Sequence, residues 1–231
     1  MRGNIFWDFS LTRCGLLIIA LAALVWLPGQ TGPEYRHLTT NPFLDMWDRW
    51  DAAFFARIAQ DGYSWQHGFA DRDATFMPLY PVLIGLVVWF WPGATRITAI
   101  AAGVVLSNLF LLASLFYLDA LLALDIADEK VRRLTRILFL VSPATIFFSG
   151  AYSESLFFLL SLMTVYYARR ADWALAGLAG FLAAMTRVTG WSLVLLLAWE
   201  FWQTRRAGSP IRLLAVLAPL MAFPFYMSIA E

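Results

Sequence analysis

The chain is a succession of apolar runs separated by short polar joints, with one long polar interval near its start. The first run extends from Cys14 to Leu27, flanked by Arg2 and Arg13. Its length also suits a secretory signal peptide. The exit Trp26-Leu27-Pro28-Gly29 lacks a small-x-small cleavage site, however, so the pattern predicts a first transmembrane helix with a cytoplasmic N-terminus. Further runs cover about 76–92, 97–124, 134–149, 154–168, 173–189, 190–203 and 211–230. Several fall short of the roughly 20 residues that span a bilayer squarely. Pro78, Pro81, Pro92, Pro143 and Pro219 stand near their ends. That predicts broken or re-entrant helices, which are tolerated only where protein or a cavity covers the irregular backbone.

The polar interval, residues 29–75, is too long for a bare connection in a compact membrane protein and is expected to be a functional outer loop. Its most patterned stretch runs from Trp47 to Tyr63. At roughly 100° per residue, Trp47, Trp50, Phe54 and Ile58 share one helical face, with Arg49, Ala56 and Gln60 opposite. This predicts a helix lying in a membrane interface. Asp51 falls on the apolar side, between Trp47, Phe55 and Ile58, where a carboxylate is desolvated at a cost in free energy. Such a group is kept mainly for chemistry or binding. The ordinary alternatives are an ion pair with Arg49 or Arg57, or exposure through a distortion of the helix. Asp48 projects to the wetter side, as a solvated neighbour or a second catalytic carboxylate.

Composition agrees with the runs. Of 231 residues, 61% are hydrophobic and 14% charged, against about 25% charged in soluble domains. The fold class expected is an all-α polytopic membrane protein, with residues 1–231 as one transmembrane domain. A net charge of +1 without a basic run points to no nucleic-acid partner. One cysteine, Cys14, and two histidines, His37 and His67, exclude a disulfide framework and point to no histidine or thiolate metal centre. No Asn-x-Ser/Thr site occurs. No cofactor is expected. Asp45, Asp48 and Asp51 leave a divalent cation open, although three-residue spacing brings only adjacent pairs together on a helix.

Basic clusters give an orientation. Lys130, Arg132, Arg133 and Arg136, then Arg169 and Arg170, then Arg205, Arg206 and Arg212 are assigned to the cytoplasm. Ser149-Gly-Ala-Tyr-Ser-Glu154 and the Arg187 region then share a side with the 29–75 loop. This scheme needs an odd number of crossings between 76 and 124. Two helices are apparent there, so one is re-entrant or 97–124 is a hairpin. The outer side thus collects Asp48, Asp51, Tyr152, Ser153, Glu154 and Arg187. A base beside a lipid-level cavity can deprotonate an acceptor hydroxyl, and an arginine fork matches the oxygens of a leaving phosphate. Sugar transfer from a lipid-phosphate donor needs both. Glu154 serves either as a helix-starting acid or as a polar contact to substrate, and Arg187 either as the phosphate ligand or as a snorkelling anchor. A transporter would instead carry ionisable groups near the bilayer midplane and show internal repeats. A non-catalytic assembly subunit would have no need of Asp51.

Three motifs carry a family resemblance. Arg49-Trp50-Asp51-Ala52 with Ile58-Ala59-x-x-Gly62-Tyr63 and Phe76-x-Pro78-x-x-Pro81 is the first. Ser142-Pro143-Ala144-x-x-Phe147-Phe148 followed by Ala151-Tyr152-Ser153-Glu154-Ser155-Leu156 is the second, and Arg187-x-x-Gly190 the third. In this order they resemble the signatures of PIG-V type glycosylphosphatidylinositol mannosyltransferases. The resemblance implies a GT-C type membrane bundle that inverts the anomeric centre and uses a polyprenyl- or dolichyl-phosphate mannose donor. It places the essential Trp-Asp pair at Trp50 and Asp51. The expected roles are Asp51 as general base, Trp50 and Trp47 as loop anchors shaping the sugar site, and Arg187 with Tyr152 or Ser153 at the donor phosphate. Expected partners are that donor, a lipid- or glycan-linked acceptor, membrane lipids and, in some assemblies, a small membrane subunit. The membrane is the cell membrane for a prokaryotic source and the endoplasmic reticulum for a eukaryotic one. Members are usually longer than a chain ending at Glu231, which suggests a short prokaryotic relative or a truncated chain.

Overall fold

The computed structural model describes residues 3–26, 42–64, 72–203 and 210–230, and among them only helices and turns occur. His37, His67, Asp71, Arg205 and Arg206 lie outside these residues, as do stretches 27–41 and 65–71 of the outer loop. In order the helices are α1 (Gly3–Trp26), α2 (Pro42–Asp45), α3 (Asp51–Asp61), α4 (Leu79–Trp89), α5 (Arg96–Leu122) and α6 (Glu129–Val141). They continue with α7 (Glu154–Arg169), α8 (Trp173–Ala184), α9 (Leu193–Gln203), α10 (Pro210–Leu217) and α11 (Ala222–Ala230). Three segments are long and apolar enough to cross a membrane: Ile5–Trp26, Arg96–Leu122 and Pro210–Ser228. The chain is an integral membrane protein.

α5 is the axis of the bundle. It starts in a capping box between Thr95 and Thr98 and then runs unbroken for 27 residues, about 40 Å. No hairpin therefore interrupts 97–124. α4, with 11 residues, is only about 16 Å long, half a bilayer core. Within 76–124, α5 alone is long and apolar enough to cross a membrane. Pro81 is accommodated in the first turn of α4, where backbone N–H groups have no intrahelical partner.

The shorter helices bring their breaks to one level. α6 ends at Val141 and a 3-10 turn, Pro143–Ile146, leads to α7. The carbonyl of Leu140, released by that break, accepts from the Thr145 hydroxyl at 2.9 Å and from Arg13 Nη2 of α1 at 2.8 Å. Arg13 Nη1 also donates to Ser149 Oγ at 2.7 Å. Thus Arg13 lies inside α1 rather than ahead of it, and Asp8, five residues earlier, is buried and ion-paired to Arg133 at 2.9 Å. The main core joins α3, α4, α5, α7 and α8 around Phe55, Tyr80, Ile84, Ile100, Leu156 and Leu160. Tyr80 is fully buried, and its hydroxyl donates to the Gly103 carbonyl at 3.0 Å while Ser107 Oγ donates to the Tyr152 carbonyl at 3.0 Å. A Cβ on Gly103 would stand 2.8 Å from Ala151 Cβ, so glycine lets the turn before α7 press against α5.

Candidate active site

The wheel drawn from Trp47 is corrected at its start. The helix begins at Asp51, because Trp50 takes φ 47° and ψ −121°, outside the helical region. A tryptophan in left-handed backbone is costly and persists only where the surroundings hold it. Here the Arg49 carbonyl is fixed from two sides, accepting from Ala52 N at 3.1 Å and from the Tyr152 hydroxyl at 3.0 Å. Burial first, and then the charges of Asp51 and Glu154, push that hydroxyl well above the usual tyrosine value, so it stays a donor. Asp51 is consequently the first residue of α3, where the helix dipole favours a carboxylate. It is not part of a continuous apolar stripe.

Arginines then sort the loop carboxylates. Asp45 accepts from Arg49 Nη2 at 2.8 Å. Asp73 is gripped by both ends of the Arg57 fork, Nη1 donating to Oδ2 at 2.8 Å, and that hydrogen bond raises the Arg57 pKa. Asp48, taken from the wheel as the wetter side chain, keeps only 8% of its surface and is ion-paired to Arg96 at 3.1 Å. Neither Arg49 nor Arg57 is therefore spent on Asp51, which has no hydrogen-bond or ion-pair partner among the described residues. Because Asp45, Asp48 and Asp51 turn to different neighbours, they do not converge on one point.

Asp51 opens on a cavity of about 310 Å³ walled by Phe55, Phe76, Ser153, Thr186 and Arg187. Arg187 is brought there by the end of α8. Its Nη1 donates to Glu154 Oε1 at 2.6 Å and to Ser153 Oγ at 3.2 Å. Glu154 does two things: it starts α7 and it aims Arg187, with its Oε2 buried and unpartnered. Tyr152, one of two residues expected beside the phosphate, instead holds the Trp50 turn, and Ser153 meets Arg187.

A second, apolar cavity of about 420 Å³ includes Leu16, Leu17, Ala20 and Leu24 of α1 with Trp47, Trp50 and Tyr152. The neighbours Trp50 and Asp51 thus line different cavities, and so do Tyr152 and Ser153. Trp50 is 71% exposed, with its ring 5.7 Å from that of Phe147, while Trp47 packs partly buried against the main core. Thr186, Thr189 and Arg96 were not singled out in the sequence, and Arg13 only as a flank of the first apolar run. An arginine inside an apolar helix was the available signal for Arg13. The partnership of Arg96 with Asp48, 48 positions away, left no local signal.

Fold and site together define a helical membrane protein with a free carboxylate and an arginine facing one polar cavity, next to an apolar one. The profile of the family described as Mannosyltransferase (PIG-V) matches residues 30–208, and the chain belongs to this family. It is 31% identical over 161 residues to GPI mannosyltransferase 2 of Yarrowia lipolytica, covering 69% of this chain and 42% of that protein. It is 29% identical over 153 residues to GPI alpha-1,6-mannosyltransferase 2 of Rattus norvegicus, covering 62% and 29%. With GPI mannosyltransferase pigv-1 of Caenorhabditis elegans it shares 32% over 126 residues, covering 49% and 18%. The matches thus span less than half the length of each of these relatives. No solved structure matches the chain significantly.

Proposed function

We propose that the chain transfers a mannosyl group from a polyprenyl- or dolichyl-phosphate donor to a hydroxyl of a lipid- or glycan-linked acceptor on the outer membrane face. The observation that carries this is Asp51, unpartnered, facing Arg187 across one cavity. A volume of about 310 Å³ suits a small polar ligand. The sugar phosphate occupies that cavity, and the prenyl chain lies along the apolar one beyond the Trp50–Asp51 wall.

Asp51 accepts the proton of the acceptor hydroxyl as its oxygen bonds to the anomeric carbon. The bond from that carbon to the donor phosphate oxygen breaks, and the electron pair leaves with the lipid phosphate. Arg187, held by Glu154 and Ser153, stabilises the charge gathering there. A single displacement of this kind inverts the anomeric centre. Trp50 and Trp47 shape the wall between tail and sugar. Asp48, buried against Arg96, positions the loop rather than taking the proton.

The test is mannosyl transfer from radiolabelled polyprenyl-phosphate mannose in membranes carrying the chain. Asp51→Asn is expected to lose about 100- to 10,000-fold in rate at equal protein level. Equal rates in wild type and variant would sink the assignment of Asp51 as base.

A further inference from the structure

A further polar cavity lies far from Asp51. Asp119, in its wall, is 23 positions along α5 from Arg96, about 35 Å of helix and more than the roughly 30 Å bilayer core. Since Arg96 pairs with Asp48, three residues before Asp51, this cavity of about 740 Å³ sits at the opposite end of the bundle. It lies between the start of α1, the last turns of α5 and α7, and the first turns of α6.

Its polar wall consists of Arg132, Arg136 and Arg170 with Tyr117, Tyr166 and Tyr167. The acids in the wall are Asp119 and Glu129, so three cations face two anions. Asp119 is shared, bound by Arg136 and 3.5 Å from Arg132 Nε. Arg136 is 3% exposed, and the Nε groups of both Arg132 and Arg136 are buried without a hydrogen-bond partner. Arg170 has no acidic partner among the described residues. Its guanidinium stands over the Tyr166 ring, 5.6 Å from the centroid, and Nη1 is 3.4 Å from the Tyr166 hydroxyl. The Tyr117 and Tyr167 hydroxyls are 2.9 Å apart.

The remaining wall is apolar. Ile5 of α1 and Phe116 of α5 line it, and Phe6, packed on Phe116 at 5.4 Å, is 51% exposed beside Trp7 at 67%. On a membrane helix those two rings face lipid. The cavity therefore has an arginine and tyrosine floor and a lateral apolar side toward the bilayer. We propose that it binds the phosphate headgroup of an anionic phospholipid, entering sideways past Ile5 and Phe116. Guanidinium forks match phosphate oxygens, and basic pockets between membrane helices recognise such headgroups. This site is independent of the transfer reaction.

The test titrates the purified full chain in detergent with dioctanoyl phosphatidylglycerol, following bound lipid by native mass spectrometry. Dioctanoyl phosphatidylcholine and inorganic phosphate are the comparison ligands. Phosphatidylglycerol is expected to bind more tightly than phosphatidylcholine, and Arg170→Ala to weaken it about fivefold. Arg170→Lys should restore most of that. Lys130→Ala, an exposed cation outside the cavity, should change nothing. Among the described residues the Arg170 side chain makes only the Tyr166 contacts, so its variants are expected to keep the unfolding midpoint of the lipid-free chain. Displacement of the lipid by equimolar inorganic phosphate would overturn the lipid headgroup in favour of a free anion. Equal binding of the two lipids, no effect of Arg170→Ala, or an equal loss with Lys130→Ala would overturn the site itself.

Discussion

Trp50 and Asp51 line different cavities, the backbone leaves the helical region at Trp50, and the cost falls on that residue. Left-handed backbone at a bulky residue costs about 1–3 kcal/mol. The ring contact with Phe147 returns about 0.5–1.5 kcal/mol. Trp50→Gly exchanges these two terms, so the unfolding midpoint in detergent should hold or rise while transfer per folded molecule falls. A falling midpoint with transfer intact would mean that the turn serves stability alone. The two carboxylates of this loop should part in the same assays. Asp48→Asn leaves Arg96 without its carboxylate and costs about 1–3 kcal/mol of stability. Its transfer per folded molecule should stay within a fewfold of wild type. Asp51→Asn, with only the helix-dipole interaction to lose, should cost about 1 kcal/mol or less and lower transfer about 100- to 10,000-fold. Reversed phenotypes would make Asp48 the base.

At the scale of elements, the third family motif becomes a packing requirement. Gly190 N donates to the Arg187 carbonyl at 2.8 Å, closing the turn that presents Arg187. A Cβ on Gly190 would stand 2.5 Å from Ala184 Cα and 2.6 Å from its nitrogen, atoms of the α8 backbone that cannot swing aside. Gly190→Ala should cost about 1–3 kcal/mol and lower transfer even among folded molecules, because Arg187 is displaced. Another joint responds to pH. The hydrogen bond from Arg169 holds the Asp125 pKa below its ordinary value, tying the end of α7 to the α5–α6 connection. A carboxylate depressed in the folded state adds stability above its unfolded pKa, and that stability is lost as pH falls through the folded value. Unfolding midpoints of wild type and Asp125→Asn should differ slightly at pH 7, the pair being exposed, and converge as pH falls through the depressed folded value. The apolar runs anticipated nearly all these helices, since burial and lipid contact are written directly into composition. What they missed has physical reasons. Nothing local to Trp47–Asp51 marks a left-handed tryptophan, because the hydroxyl holding that turn belongs to Tyr152. A 28-residue apolar run is compatible with a hairpin or one long helix, and only the absence of a break after the Thr95 cap decides. Asp51 stood out in the sequence from a wheel position that the Trp50 turn does not preserve, and the ion pair hiding Asp48 needs a partner 48 positions away.

For the whole molecule, the basic residues now have a place as well as a sequence position. Arg169 reaches Asp125 across α7 and the α5–α6 connection, Arg132 and Arg136 meet on Asp119, and Arg212 lies over the Trp173 ring at 5.6 Å. All of them gather at the Leu122 end of α5. At the Arg96 end, three arginines are each held by an aspartate: Arg49 by Asp45, Arg57 by Asp73 and Arg96 by Asp48. Positive loops stay in the cytoplasm, so the Leu122 end should be cytoplasmic and the Asp51 cavity should open outward. Lipid-linked sugar and acceptor would then meet on the side away from the cytosol, while the arginine and tyrosine cavity would face the anionic leaflet. The only cysteine, Cys14, permits a direct test. In a Cys14→Ser background, Gln60→Cys and Lys130→Cys place one exposed thiol near each end. A membrane-impermeant maleimide added to intact cells should label Gln60→Cys, and should reach Lys130→Cys only after the membrane is opened. The reverse pattern would invert the protein and bring the transfer reaction to the cytoplasmic face. Labelling of both from outside would mean that α5 does not cross, and would dissolve the distinction between the two cavities on which the site rests.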